Sequence, residues 1–231
     1  KVDSSAVQDG YQIYHHVFIF TADGRWAVVQ QGMNQVTGWA RRYHWKGDRL
    51  ESFIQEPHTA VCGEPEERVI NLVAAESGEA RDTSLYLAQR PLEVIKNLKK
   101  IEELSGRGKL ELNLPAAHPV PGAGRIEKTL NRLYDLKPSS YEQLLAVEGV
   151  GPATVRAFAL VSEVVYNARA SRRDPVRYSF AHGGKDGHPF PVNRENYDRS
   201  IMLLENALRR AKAGRRETVE ALKRLALINK M

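Results

Sequence analysis

The run Leu144-Leu145-Ala146-Val147-Glu148-Gly149-Val150-Gly151-Pro152-Ala153-Thr154-Val155-Arg156 decides how the C-terminal half is read. Ser139 and Glu142 stand at capping-box spacing just upstream, so a short helix is expected over 141–147. Pro152 suits the first position of a second helix, expected over 152–168. Between the two helices, Gly149 and Gly151 leave the backbone without projecting side chains. A phosphate can then approach the free N–H groups at the start of the second helix, where the helix dipole also favours an anion.

Working outward, helical periodicity recurs over 126–136, 196–212 and 217–228, so the C-terminal half reads as all-α. Upstream, Pro91 opens a helix in which Leu92, Ile95, Leu98, Ile101 and Leu104 recur at helical spacing. The N-terminal third reads as β. A hairpin is expected with strands over 13–20 and 26–31 around Ala22-Asp23-Gly24-Arg25, followed by strands over 39–45 and 69–74. The fold class is therefore α+β, a β-rich N-terminal part followed by an all-α part. Four Gly and three Pro between Gly106 and Gly124 suggest a linker. The expected domains are 1–105, a β-rich part with a closing helix, and 125–231, a helical part, joined by 106–124.

The single cysteine, Cys62, excludes a disulfide framework and a Cys-rich zinc site. No apolar run approaches the roughly 20 residues of a bilayer span, so a cytoplasmic protein without membrane contact is expected. The opening Lys1-Val2-Asp3, with no initiator Met, predicts that an N-terminal domain of a longer polypeptide precedes this chain. The formal charge of +6 is concentrated at the other end, where Arg199 to Met231 holds nine Lys/Arg against three Asp/Glu. A basic tail suits the phosphate attraction that dominates DNA affinity, and equally a solvated helix face.

The segment 139–168 resembles the helix-hairpin-helix of DNA repair glycosylases, junction-processing nucleases, polymerases and ligases. The resemblance implies that Gly149, Val150, Gly151, Ala153 and Thr154 meet the DNA backbone, with Arg156 one turn further on. It also implies recognition largely independent of base sequence. A hairpin used only for packing or protein contacts has the same pattern.

Longer runs carry a second resemblance: Gln8-Asp9-Gly10-Tyr11, Tyr14-His15-His16, Val29-Gln30-Gln31-Gly32-Met33-Asn34, Ala40-Arg41-Arg42-Tyr43-His44-Trp45, Glu56-Pro57-His58 and Phe180-Ala181-His182-Gly183-Gly184-Lys185-Asp186-Gly187. From Val2 to about Lys212 the chain resembles the C-terminal portion of a family catalogued only as a domain of unknown function, number seven-six-three. That resemblance implies no activity.

Read as chemistry, the same runs gather carboxylate, imidazole and amide groups on neighbouring strands. Asp9, His15, His16, Gln31, His44 and Glu56 form a candidate catalytic set. Asp9, His16 and Glu56 form a candidate ligand set for Mg²⁺ or Mn²⁺, suited to phosphodiester cleavage. Adjacent His15 and His16 point to opposite faces of a strand, so at most one serves a common site. The alternative is that each histidine satisfies a core hydrogen bond or lies on the surface. Arg41 and Arg42, interleaved with Trp39, Tyr43, His44 and Trp45, have the composition that grips unstacked bases, while Trp39 and Trp45 equally suit a core. Lys185 belongs to a Gly-rich loop suited to an anion, or to an ordinary connecting turn.

No Walker loop, Gly-x-Ser-x-Gly elbow or dinucleotide fingerprint is present, which removes most support for nucleotide hydrolysis, acyl transfer and hydride transfer. The expected function is a DNA-binding protein acting in repair as a metal-dependent endonuclease on damaged or structured DNA, with a homodimer among its expected assemblies. A non-catalytic DNA-binding or repair-scaffold module is the alternative. A base-excision glycosylase fits less well: Asp174 lies downstream of the hairpin, but Ala153 stands where lyase-active members carry lysine.

Overall fold

The computed structural model describes residues 1–112, 114, 118–177, 194–210 and 215–228. Lys185 and most of the loop around it lie outside the described residues. The chain opens with a π-helical turn, Val2–Ala6, and a short strand β1 (Val7–Gln8), which pairs antiparallel with β6 (Ile70–Asn71). A second, four-stranded antiparallel sheet follows in the order β2 (Tyr11–Phe20), β3 (Trp26–Asn34), β4 (Ala40–Lys46) and β5 (Ala60–Cys62). The expected hairpin is β2–β3, in register from Tyr11 opposite Asn34 to Phe20 opposite Trp26. Along β4, Arg41, Tyr43 and Trp45 are buried and alternate with more exposed neighbours, the period of a strand with one face in the core.

Seven helices follow among the described residues: α1 (Gly78–Ala88), α2 (Pro91–Gly106), α3 (Ala123–Leu136), α4 (Tyr141–Ala146), α5 (Pro152–Tyr166), α6 (Arg194–Arg210) and α7 (Arg215–Ile228). The architecture is α+β with a β-rich N-terminus. Helix α1 has no counterpart in the sequence reading. Its buried face is Ala80, Arg81, Ser84, Leu87 and Ala88, mostly small or polar, so no apolar period marks it. Arg81 there donates to the carbonyls of Leu72 and Ala74, both at 2.8 Å, which fastens α1 to the end of β6. The cap of α4 also differs from expectation. Ser140, not Ser139, accepts from the Gln143 N–H, while the Gln143 side chain accepts from Ser139.

Helix α5 lies at the centre of the larger unit. Its residues from Thr154 to Ser162 are all buried, more than two turns without an exposed face. It packs against α1, α2, α3 and the opening turn. One hydrophobic cluster joins Ala6, Val7, Tyr43, Val61 and Ile70 to Leu130, Leu144, Phe158 and Leu160. The chain divides at Ser179/Phe180, not within 106–124. Gly and Pro in 106–124 mark an irregular connection inside one unit, because the β-rich part and helices α1 to α5 complete a single core.

In the second unit, α6 carries Glu195–Arg199 and Glu205–Arg209 ion pairs at i,i+4 spacing. Met202, Leu203 and Leu204 of α6 are exposed. Among the described residues no helix is long and apolar enough to cross a membrane.

Candidate nucleic-acid interface

Helices α4 and α5 are joined by a tight turn over 147–151. The Val150 N–H donates to the Val147 carbonyl at 3.2 Å, and the Val150 side chain is buried, so it anchors the turn from inside. Gly149 has φ +90°, a conformation that L side chains rarely adopt, and a Cβ there would lie 3.1 Å from Thr129 Oγ1. Helix α3 braces the turn from the other side. Thr129 Oγ1 donates to the Gly149 carbonyl at 3.4 Å, and Arg132 donates to the Glu148 carbonyl at 3.2 Å and carboxylate at 2.8 Å.

Gly151 is extended and precedes Pro152; a Cβ added to Gly151 would meet nothing within 4 Å. The Val155 N–H bonds back to the Gly151 carbonyl at 3.1 Å, so Ala153 and Thr154 carry first-turn N–H groups without an intrahelical acceptor. These positions line a cleft of about 800 Å³. Its other walls are Gly10 to Ile13, Gln35 and Val36 from the sheet region, Arg125, Ile126 and Thr129 from α3, and His118 and Pro119 from the connection. Two arginines and a histidine line it, and no Asp or Glu does among the described residues.

Arg156 is buried at the base of this cleft. Its Nε donates to the Pro119 carbonyl and its Nη1 to Gln8 Oε1, both at 2.7 Å. Burial, with Arg125 nearby, lowers its pKa to about 10. His118 Nε2 accepts from the Gly10 N–H at 3.3 Å, which leaves Nδ1 as the protonated nitrogen of a neutral ring. Burial, then Arg156, lowers the His118 pKa from 6.5 to about 4. The unfolded chain therefore takes up this proton at higher pH than the folded one. The stability that neutral His118 contributes is complete above about pH 6.5 and is lost as the pH falls toward about 4. In urea titrations, wild type should lose more stability than His118→Gln between about pH 7 and about pH 5. Equal losses would remove His118 from that linkage.

The sheet residues singled out by sequence have other surroundings. Asp9 is wholly buried; its Oδ2 accepts from Arg41 Nη1 and from the Tyr43 hydroxyl, each at 2.7 Å, and its Oδ1 from the Tyr11 N–H at 3.2 Å. Burial raises the Asp9 carboxyl pKa, against the pull of Arg41 and Tyr43. Arg41, also wholly buried, donates its Nη2 to Asp174 at 2.9 Å and to the Glu64 carbonyl at 2.5 Å, and stacks 4.4 Å from the centre of the Tyr11 ring. Arg41 therefore presents no free guanidinium to a base, and Asp174 is held in an ion pair.

His15 and His16 are exposed on β2, opposite Gln31 and Gln30. Gln31 donates to the Tyr14 hydroxyl. His44 and Arg42 are half-buried on β4, and burial, then Arg42, lowers the His44 pKa. The Glu56 carboxylate pairs with Arg173 at 3.2 Å and Arg177 at 3.1 Å. Among the described residues no group of three His, Cys, Asp or Glu side chains is placed to hold a metal ion, so Asp9, His16 and Glu56 are not brought together.

Two arrangements escaped the sequence reading. Asp3 is buried and accepts from Trp45 Nε1 at 2.8 Å while pairing with His58 Nε2 at 2.5 Å. Nothing in the opening Lys1-Val2-Asp3 signals that partnership. His118 and Arg125 join the cleft from a stretch taken as linker and from an exposed helix turn; a histidine beside Pro119 was the available signal. Compared with known proteins, residues 1–192 match a family model described as protein of unknown function, DUF763. No curated protein and no solved structure matches.

Proposed function

The chain belongs to the DUF763 family, and from this premise we propose that it binds DNA through the phosphate backbone at the 147–156 hairpin, without reading base sequence. One observation carries the proposal. The unbonded N–H groups at the start of α5 follow a glycine with open space around it, on a cleft lined by cations and no carboxylate among the described residues. Backbone amides and guanidinium groups suit phosphate oxygens, and phosphate contacts fix position without specifying sequence.

Binding is favoured over metal-dependent cleavage by the surroundings of four of the six candidate catalytic residues. Asp9 is engaged by Arg41 and Tyr43, Glu56 by Arg173 and Arg177, and His15 and His16 are exposed on an outer strand. A role in DNA repair then takes the form of a binding module.

The test is fluorescence anisotropy with two duplexes of unrelated sequence and their single strands, with product analysis in Mg²⁺ and Mn²⁺. Affinities should agree within a few-fold across sequences and fall about 10- to 40-fold between about 50 and 200 mM salt, as for two to three neutralised phosphates. No metal-dependent product is expected. Absence of binding at low salt would overturn the proposal, and strong preference for one sequence would overturn its backbone mode.

A further inference from the structure

Arg156 is a buried cation without a counter-charge. It is 6% exposed, and its acceptors are the carbonyls of Pro119 and Pro152 and the side-chain amide of Gln8, all neutral. Its Nη2 has no acceptor among the described residues. Removing a guanidinium from water is costly unless an anion compensates it, as Asp9 and Asp174 do for Arg41. Arg81 is equally buried on neutral acceptors, but it fastens α1 and does not line this cleft, whereas Arg156 does. Arg125 on the same cleft adds a second positive charge where one already lacks a partner. Neither cation faces a carboxylate of the cleft lining.

The cleft also holds more space than a backbone phosphate at the hairpin would fill. A volume of about 800 Å³ lies in the range of sites that enclose a small ligand. A duplex that contacts the hairpin amides leaves most of that space empty, whereas a strand end can enter it. A terminal phosphate monoester approaches two negative charges near neutral pH, whereas an internal diester carries one. Two guanidinium groups and two helix N–H groups match the former better.

We propose that this cleft binds the phosphorylated end of a DNA strand: its terminal phosphate is held by Arg156, Arg125 and the Ala153 and Thr154 N–H groups, and its last nucleoside fills the remaining space. The proposal rests on the DNA-binding reading and adds the substrate class. Arg156 Nη2 and Arg125 supply the charge-assisted hydrogen bonds, the amides supply orientation, and neutral His118 bounds the site without adding charge. A free nucleoside monophosphate has the same phosphate chemistry and is the alternative source of the ligand.

The experiment compares short single strands and nicked duplexes with a 5′-phosphate, a 3′-phosphate or hydroxyl ends, using the whole chain, with free deoxynucleoside monophosphate as competitor. One phosphorylated end should bind about tenfold tighter than the hydroxyl end, the worth of one added charge-assisted contact. Arg156→Gln should abolish that preference. Because Arg156 also braces Gln8 and Pro119, the exposed Arg125→Gln is the second variant; it should retain the wild-type melting temperature and reduce the preference. Equal affinity for phosphate and hydroxyl ends, with DNA binding intact, would overturn this inference and leave the DNA-binding reading standing. Tight binding of the free monophosphate, with no preference among strand ends, would overturn the assignment to DNA ends. Loss of binding to every oligonucleotide would defeat both.

Discussion

Arg41→Ala is expected to destabilise the larger unit by about 3–5 kcal/mol, the cost of leaving a buried charge without its partner. Its guanidinium joins Asp9 on one side to Asp174 on the other, with Arg41 and Asp9 at zero side-chain exposure and Asp174 part-buried. Removing it leaves Asp9 with only the Tyr43 hydroxyl and the Tyr11 N–H, and frees the Glu64 carbonyl from its donor. Asp174 keeps the Glu66 and Val176 N–H groups, so the Asp9 side carries the larger loss. Arg41→Lys should recover part of the effect, since an ammonium restores charge without the planar fork that reaches two carboxylates. The measurement is urea unfolding followed by circular dichroism. Arg25→Ala, which breaks an exposed pair with Asp23, should leave the midpoint in place. An Arg41→Ala midpoint equal to that of wild type would contradict the structural role given to this cluster.

The two hairpin glycines should separate stability from binding. Gly149→Ala forces a side chain into positive φ and toward Thr129, so it should destabilise by more than about 1 kcal/mol. Gly151→Glu meets no steric obstacle, and an acidic group at a helix N-terminus is mildly favourable for the helix. Its melting temperature should match or exceed that of wild type. DNA affinity should nevertheless fall about 10- to 100-fold, because the new carboxylate occupies the position a phosphate would take and repels it. A Gly151→Glu protein that binds DNA like wild type would mean that the hairpin only packs. Loss of binding together with unfolding would leave Gly151 as a folding residue.

How much of this was legible in the sequence depended on the range of the signal. The β2–β3 hairpin, α2 and the hairpin before α5 are set by local periodicity, Gly and Pro, and the observed elements lie within a few residues of expectation. Helix α1 was illegible because Arg81 and Ser84 are buried by hydrogen bonds and not by apolarity. The boundary over 106–124 was misplaced because turn composition reports local backbone freedom, whereas α5 shares its core with residues from both sides of that stretch.

Polar residues on strands were visible as such, but their partners were not. Arg41 meets Asp174 across 133 positions, and Arg156 meets Gln8 across 148. Asp9 and Arg41 thus read as chemistry and prove to be each other's partners. Arg156, which the helix-hairpin-helix resemblance places one turn beyond the hairpin, is buried and lines the cleft.

Hydrogen exchange of the backbone amides, with and without duplex DNA, tests the central claim most directly. The first-turn amides of α5 at Ala153 and Thr154 lack intrahelical acceptors and should exchange readily in the free protein. On adding DNA, a peptide covering the hairpin and the start of α5 should slow markedly, while one covering the exposed β2 strand, with His15 and His16, should not change. Protection confined to the sheet, with the hairpin amides unaffected, would contradict the assignment of DNA binding to this turn.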